Sequence, residues 1–204
     1  MGNNSKFALN LKVKLVATIL EIKRYSSYKK IAFYTIQVEG RPFDEYYDFG
    51  TRMKQKLKDT SELAEMLSFI GNIGDKWGYR EKDFKKEVEY GRRFDFSKAQ
   101  APIAEPHRLV LPFRSQSEAN SKYGLRLYCV VLDPTVIVLV NGDLKTERKV
   151  QDCKNCYPHF ILANSLAHSL DLALENDRIA INDMAIEIDD DFDLEIEIPK
   201  QFII

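Results

Sequence analysis

Residues 125–140 read LRLYCVVLDPTVIVLV, two runs rich in β-branched and aliphatic residues on either side of Asp133-Pro134. Asp-Pro is turn chemistry, because the aspartate side chain caps its own backbone and proline fixes its φ angle. Leu125–Leu132 and Thr135–Val140 are therefore expected to pair as an antiparallel hairpin, and Asn141-Gly142 to end its second strand. Upstream, Arg108–Leu111 is a further short strand, preceded by a long polar connection over residues 75–106.

Earlier still, Leu63, Met66, Leu67 and Ile70 recur at helical spacing, with Thr60 or Ser61 to cap the helix and Gly71 and Gly74 to stop it. Another helix is expected to open near Pro42-Phe43, since proline suits a first helical turn. Before it, Leu11–Ile22 and Ile31–Val38 flank the polar turn Arg24–Lys30 and read as a hairpin. Downstream, a helix is expected over about Pro158–Asn176, with Phe160, Ile161, Leu166, Leu170 and Leu174 for one face. Met184–Ile198 then alternates apolar with acidic residues, the period of a strand with one buried face. The fold class is α+β, a twisted, mostly antiparallel sheet packed against two to three helices.

The 204 residues are 45% hydrophobic and 30% charged, which excludes wholesale disorder and suits one medium domain. The domain is read as residues 1–178, with an acidic extension, 179–204, packing on it. The formal net charge of -1 averages over an asymmetry: residues 1–150 carry 27 basic and 19 acidic side chains, residues 151–204 only 3 basic and 12 acidic. No run reaches the roughly 18–20 apolar residues of a membrane span, and Met1–Lys6 lacks the pattern of a secretion signal. With 3 cysteines, an odd number, the expected setting is a reducing cytoplasm without membrane contact.

Several phrases resemble the RelE/HigB-type toxin superfamily, above all its phage-derived HigB-like branch. Phe33–Tyr46 is similar to the family's entry into its first helix and Leu63–Ile70 to its second. Leu125–Val131 resembles the arginine-bearing strand and Val136–Thr146 the lysine-ended one. The chain differs in having Lys145 where the family has a lysine pair, in placing Tyr128 two residues after Arg126 rather than three, and in adding an N-terminal strand and an acidic C-terminal strand.

The resemblance implies a RelE-like fold and a toxin of a toxin–antitoxin system, an endoribonuclease acting without metal or other cofactor on mRNA, on the ribosome, and held by an antitoxin protein. It implies Arg126 as the phosphate-binding guanidinium, Lys145 as a second cation and Tyr128 as a proton handler. Arg114, Tyr123, His107, Arg148 and Lys149 are the accompanying RNA-binding candidates. Each also has an ordinary reading: arginines on amphipathic strands are commonly ion-paired, and tyrosines in sheets commonly half-buried.

Two other functions stay open. One is a non-enzymatic interaction module on the same scaffold. The other is a small zinc-binding regulator using Cys153 and Cys156, a Cys-x-x-Cys hook, with His159 as third ligand. The acidic run Asp189–Asp193 lacks the glycine and spacing of a calcium loop and reads as a solvated face. Lying over the positive surface around Arg126 and Lys145, the acidic tail is expected to mask RNA binding.

Overall fold

The structure, a computed structural model, describes residues 15–80, 109–113 and 124–199, with 109–113 described as backbone. The predicted N-terminal hairpin forms from β1 (Leu15–Ser27) and β2 (Ala32–Val38), paired antiparallel. α1 (Glu45–Lys56) and α2 (Ser61–Asn72) follow. β3 (Leu109–Phe113), β4 (Gly124–Asp133) and β5 (Val136–Lys145) form an antiparallel meander, and the Asp133 carboxylate accepts from the Thr135 N–H at 2.8 Å to close the predicted turn. α3 (Tyr157–Glu175), the hairpin of β6 (Ile179–Asn182) and β7 (Ala185–Ile188), and β8 (Leu194–Pro199) complete the described chain.

The main sheet has six strands in the order β3-β4-β5-β2-β1-β8. All its neighbours are antiparallel except β2 and β5, whose parallel register runs from Ala32–Val136 to Thr35–Leu139. That single parallel contact follows from connectivity. The chain leaves β2, crosses through α1 and α2, and re-enters by way of β3 and β4.

Both faces of the sheet are covered, so β4 and β5 are buried on both sides and read as continuous apolar runs. On one face Phe33, Leu127, Cys129, Ile137 and Leu139 pack with Phe49 and Met53 of α1 and Leu63, Met66 and Ile70 of α2. On the other, Tyr34, Ile36, Tyr128, Val130, Val138 and Val140 pack with Ile161, Leu166 and Leu170 of α3. Leu67, expected among the apolar stripe of α2, is exposed instead.

Three local expectations are corrected. Thr60 makes no side-chain cap; the Asp59 carboxylate accepts from the Ser61 N–H at 2.9 Å in its place. Gly71 and Gly74 do not stop α2, which continues into a π-helical turn at Ile73–Trp77 and ends at Gly78, whose φ is 71°. Gly74 is needed for packing, since a Cβ there would run into the Tyr28 ring. Asn141-Gly142 does not end β5 either. A bulge sets Val140 and Asn141 opposite Tyr128 alone, and the strand continues to Lys145. A Cβ on Gly142 would collide with the Arg126 carbonyl, so glycine lets β4 and β5 stay paired there.

The acidic C-terminal strand has the expected alternation: Leu194, Ile196 and Ile198 are buried while Glu195 and Glu197 are exposed. Its place overturns the masking expectation. β8 pairs with β1, so β1 and β2 stand between it and β5. The acids of the β7–β8 link meet Arg178 instead, with Asp189 at 3.2 Å and Asp191 at 2.9 Å. Among the described residues no helix is long and apolar enough to cross a membrane.

Candidate functional site

Arg126 and Lys145 occupy neighbouring strands, Arg126 opposite Asp143 and Lys145 opposite Gly124. Directly paired residues share a face, so these two cations lie on the same side of the sheet. They do not form the open, anion-reachable pair that the family resemblance implies: Arg126 is 2% exposed and Lys145 5%. Arg126 donates to the Leu125 carbonyl at 3.0 Å, and the Tyr128 ring packs edge-on to Phe160 at 5.6 Å. Arg148 and Lys149 are exposed beyond β5. Arg114, Tyr123 and His107 lie outside the described residues.

A different set of polar residues converges where β2 and β5 part. Beyond Thr35 and Leu139 the two strands no longer pair, and the carboxyl ends of parallel strands leave a crevice at such a point. α1 lies alongside it. Its apolar residues Tyr46, Phe49 and Met53 face the core, and one position before each stands Glu45, Asp48 or Arg52, followed one turn later by Lys56. A helix turns once in 3.6 residues, so these four form a polar stripe bordering the apolar one. Asp44 begins the helix, accepting from the Tyr47 N–H at 2.9 Å, and it also accepts from the Thr35 hydroxyl at 3.2 Å. The sequence carried this signal as ionisable residues at 45, 48, 52 and 56, a spacing that an apolar search passes over.

Arg52 holds the cluster together. Its Nε donates to Asp48 at 2.7 Å, and one terminal nitrogen donates to Asp143 at 3.0 Å. The other donates to the Asn141 Oδ1 at 2.6 Å and the Gly142 carbonyl at 2.9 Å, and sits 3.4 Å from His159 Nε2. Asn141 turns its amide to Glu45 at 2.6 Å and Asp48 at 3.1 Å. Lys56 pairs with the second oxygen of Asp143 at 2.6 Å, and Arg41 pairs with Glu45. Glu45, Asn141, Asp143 and His159 are buried, whereas the side chains of Asp48, Arg52 and Lys56 are 40%, 32% and 40% exposed and form the rim.

The environment moves two of these groups in opposite directions. Burial raises the Glu45 carboxyl above its ordinary range, against the pull of Arg41 and Asn141. Burial, reinforced by the Arg52 charge, pushes His159 down to about 3, so its imidazole is neutral at pH 7. At the rim, burial would lift Asp48, but hydrogen bonds from Arg52 and Asn141 outweigh it and hold the carboxyl low. A carboxyl raised by burial, a neutral imidazole and a guanidinium thus stand in one hydrogen-bonded set.

Zinc ligation by Cys153, Cys156 and His159 is not supported. The Cys156 thiol donates to the Asp143 carbonyl at 3.3 Å, Cys153 Sγ accepts from the Thr146 N–H at 3.4 Å, and His159 faces Arg52. These thiols fasten the start of α3 to the end of β5. Among the described residues no three His, Cys, Asp or Glu side chains are grouped to hold a metal ion. Burial works against ionising Cys153, but hydrogen bonds from Thr146, Cys156 and Glu147 prevail and lower its pKa.

Comparison of the chain with family models, with curated proteins and with solved structures returned no match.

Proposed function

We propose that the chain is a metal-independent endoribonuclease of the RelE/HigB toxin kind, with its acid–base centre at Glu45, Arg52 and His159 rather than at Arg126, Lys145 and Tyr128. The observation that carries this reading is the guanidinium of Arg52, beside His159 and joined through Asn141 to Glu45, two groups whose proton affinities are driven apart, Glu45 upward and His159 downward. Cleavage through the 2′-hydroxyl forms a bond from that oxygen to phosphorus and breaks the bond from phosphorus to the 5′-oxygen. Neutral His159 takes the 2′-proton, and the Glu45 carboxyl returns one to the departing 5′-oxygen. Arg52 and Lys56 meet the charge that builds on the phosphorane oxygens. Glu45 and His159 are buried, so this reading requires the rim pair of Asp48 and Arg52 to open and admit the RNA, the phosphate taking the place of Asp48, the half-exposed carboxylate. mRNA, on the ribosome, is the proposed substrate and an antitoxin protein the proposed partner.

The test is expression in bacteria, together with cleavage of RNA by the purified protein. Growth arrest, products ending in a 2′,3′-cyclic phosphate, and loss of both in His159→Gln with its melting temperature preserved are the expected results. Harmless expression and intact RNA overturn the nuclease.

One observation favours the non-enzymatic interaction module as a second reading. The Nε and both terminal nitrogens of Arg52 already face acceptors within the protein, an arrangement that ties α1, β5 and α3 together without any substrate. Under this reading His159→Gln alters stability alone.

A further inference from the structure

Two buried thiols stand beside the candidate site, and the protein holds them differently. The sulfur of Cys153 receives hydrogen bonds: the Thr146 N–H donates to it at 3.4 Å, the N–H groups of Cys156 and Glu147 donate as well, and the Thr146 hydroxyl lies at 3.7 Å. A proton on Cys153 reaches the Leu144 carbonyl only across 3.9 Å. Cys156 instead gives a hydrogen bond, its thiol donating to the Asp143 carbonyl at 3.3 Å. N–H donors favour a thiolate, and a carbonyl acceptor favours a thiol that keeps its proton. One sulfur is set to attack and the other to follow.

The backbone brings the two together. The Tyr157 N–H donates to the Cys153 carbonyl at 2.9 Å, so residues 153–156 form one tight turn at the head of α3. A turn keeps its first and fourth Cα atoms within about 7 Å, the range that a disulfide spans. The side chains converge too, because the Cys153 sulfur is hydrogen-bonded to the N–H of the residue whose sulfur it would join. Both thiols are buried, but their cover is thin. The loop 146–152, which meets Cys153 through Thr146 and Val150, is exposed at every position except Val150. Hydrogen peroxide is neutral and little larger than water, so a small opening of that loop admits it.

We propose that Cys153 and Cys156 are a peroxide-reactive dithiol, with Cys153 the attacking sulfur and Cys156 the resolving one. The Cys153 sulfur displaces one oxygen of hydrogen peroxide: an S–O bond forms, the O–O bond breaks, and the Cys153 proton leaves with the other oxygen as water. The Cys156 sulfur then attacks that of Cys153: the S–S bond forms, the S–O bond breaks, and the hydroxyl departs with the Cys156 proton as a second water. The two thiols lose two electrons and the peroxide gains them. The disulfide has no S–H, so the Asp143 carbonyl loses its donor, at the residue whose carboxylate holds Arg52 and Lys56.

The experiment exposes the reduced full chain to a small excess of hydrogen peroxide at pH 7, then denatures it, alkylates the free thiols and weighs the protein. Of the 3 cysteines, only Cys129 is expected to remain alkylatable, with the mass before alkylation lower by two hydrogens and the 153–156 link found in a digest. Dithiothreitol is expected to restore all three thiols. Cys156→Ser is expected to stop at the sulfenic acid of Cys153, captured by dimedone. Cys153→Ser, its fold checked by circular dichroism, is expected to consume peroxide about tenfold more slowly. Three unchanged thiols in the wild type overturn the proposal, and so does dimedone capture at Cys156 in Cys153→Ser at the wild-type rate.

Discussion

The guanidinium of Arg52 lies 3.4 Å from Nε2 of His159, although the two residues belong to helices packed on opposite faces of the sheet. The contact lies past Thr35 and Leu139, where β2 and β5 no longer pair. Through it a single side chain joins α1, β5 and α3.

Arg52→Ala should therefore lower stability. Removing one partner from a buried pair costs about 3–5 kcal/mol, and partial exposure of the Arg52 side chain, 32%, brings the expected loss to about 2–3 kcal/mol. Arg52→Lys keeps the charge but loses the planar fork, so it should recover only part of this. Denaturant melts of the two variants check the order. Equal stability of wild type and Arg52→Ala contradicts the role given to the cluster.

His159 gives stability a pH dependence whose sign follows from its depressed pKa. The unfolded imidazole takes up its proton near 6.5 and the folded one only at about 3. Between those values the unfolded state binds more protons, so stability is complete above about pH 6.5 and falls as the pH drops, by up to ~1.4 kcal/mol per unit. Glu45, raised from 4.5, works the other way, favouring the folded state towards acid. Melting temperature should decline from pH 7 to pH 5, and His159→Gln should flatten that decline.

Two glycines should respond oppositely to alanine. Gly142→Ala places a Cβ against the Arg126 carbonyl and the Leu127 backbone, with an expected cost of about 2–3 kcal/mol. Gly50 sits within α1 with open space around it, so Gly50→Ala should stabilise by up to about 1 kcal/mol. Thermal melts of both variants test the bulge in β5 and the exposure of the α1 face together.

Truncation after Arg178 should fail to yield a stable domain. It removes Leu194, Ile196 and Ile198 from the core, worth roughly 5–9 kcal/mol of burial at 1.5–3 kcal/mol each, and strips β1 of a partner strand. That loss is comparable with the whole stability of many domains. A soluble, cooperatively melting fragment would show that β8 is dispensable.

Much of the fold was legible in local pattern. The hairpin around Asp133-Pro134 followed from its turn chemistry, and the half-buried period of Leu194–Ile198 from alternation. α3 followed from helical spacing, with Pro158 in its first turn. The candidate site was less legible. Asn141-Gly142 has the composition of a turn, and only the close approach of the Arg126 backbone reveals that the glycine sits inside a paired strand. Arg126 looked like a surface cation because strand alternation reports which residues share a face, not whether that face is covered. Here α3 covers it.

By itself the sequence determined the elements, since turn chemistry, β-branched runs and helical period act over a few neighbouring residues. It also determined that the carboxyl end is acidic. The tertiary structure decided the order of strands in the sheet, which sent that acidic strand to the edge beside β1 and away from the basic residues it was expected to cover. It likewise decided that Glu45, Arg52, Asn141 and His159 meet, because they come from three elements distant in the chain. They meet past the point where one parallel pair of strands separates, and no local spacing encodes that meeting.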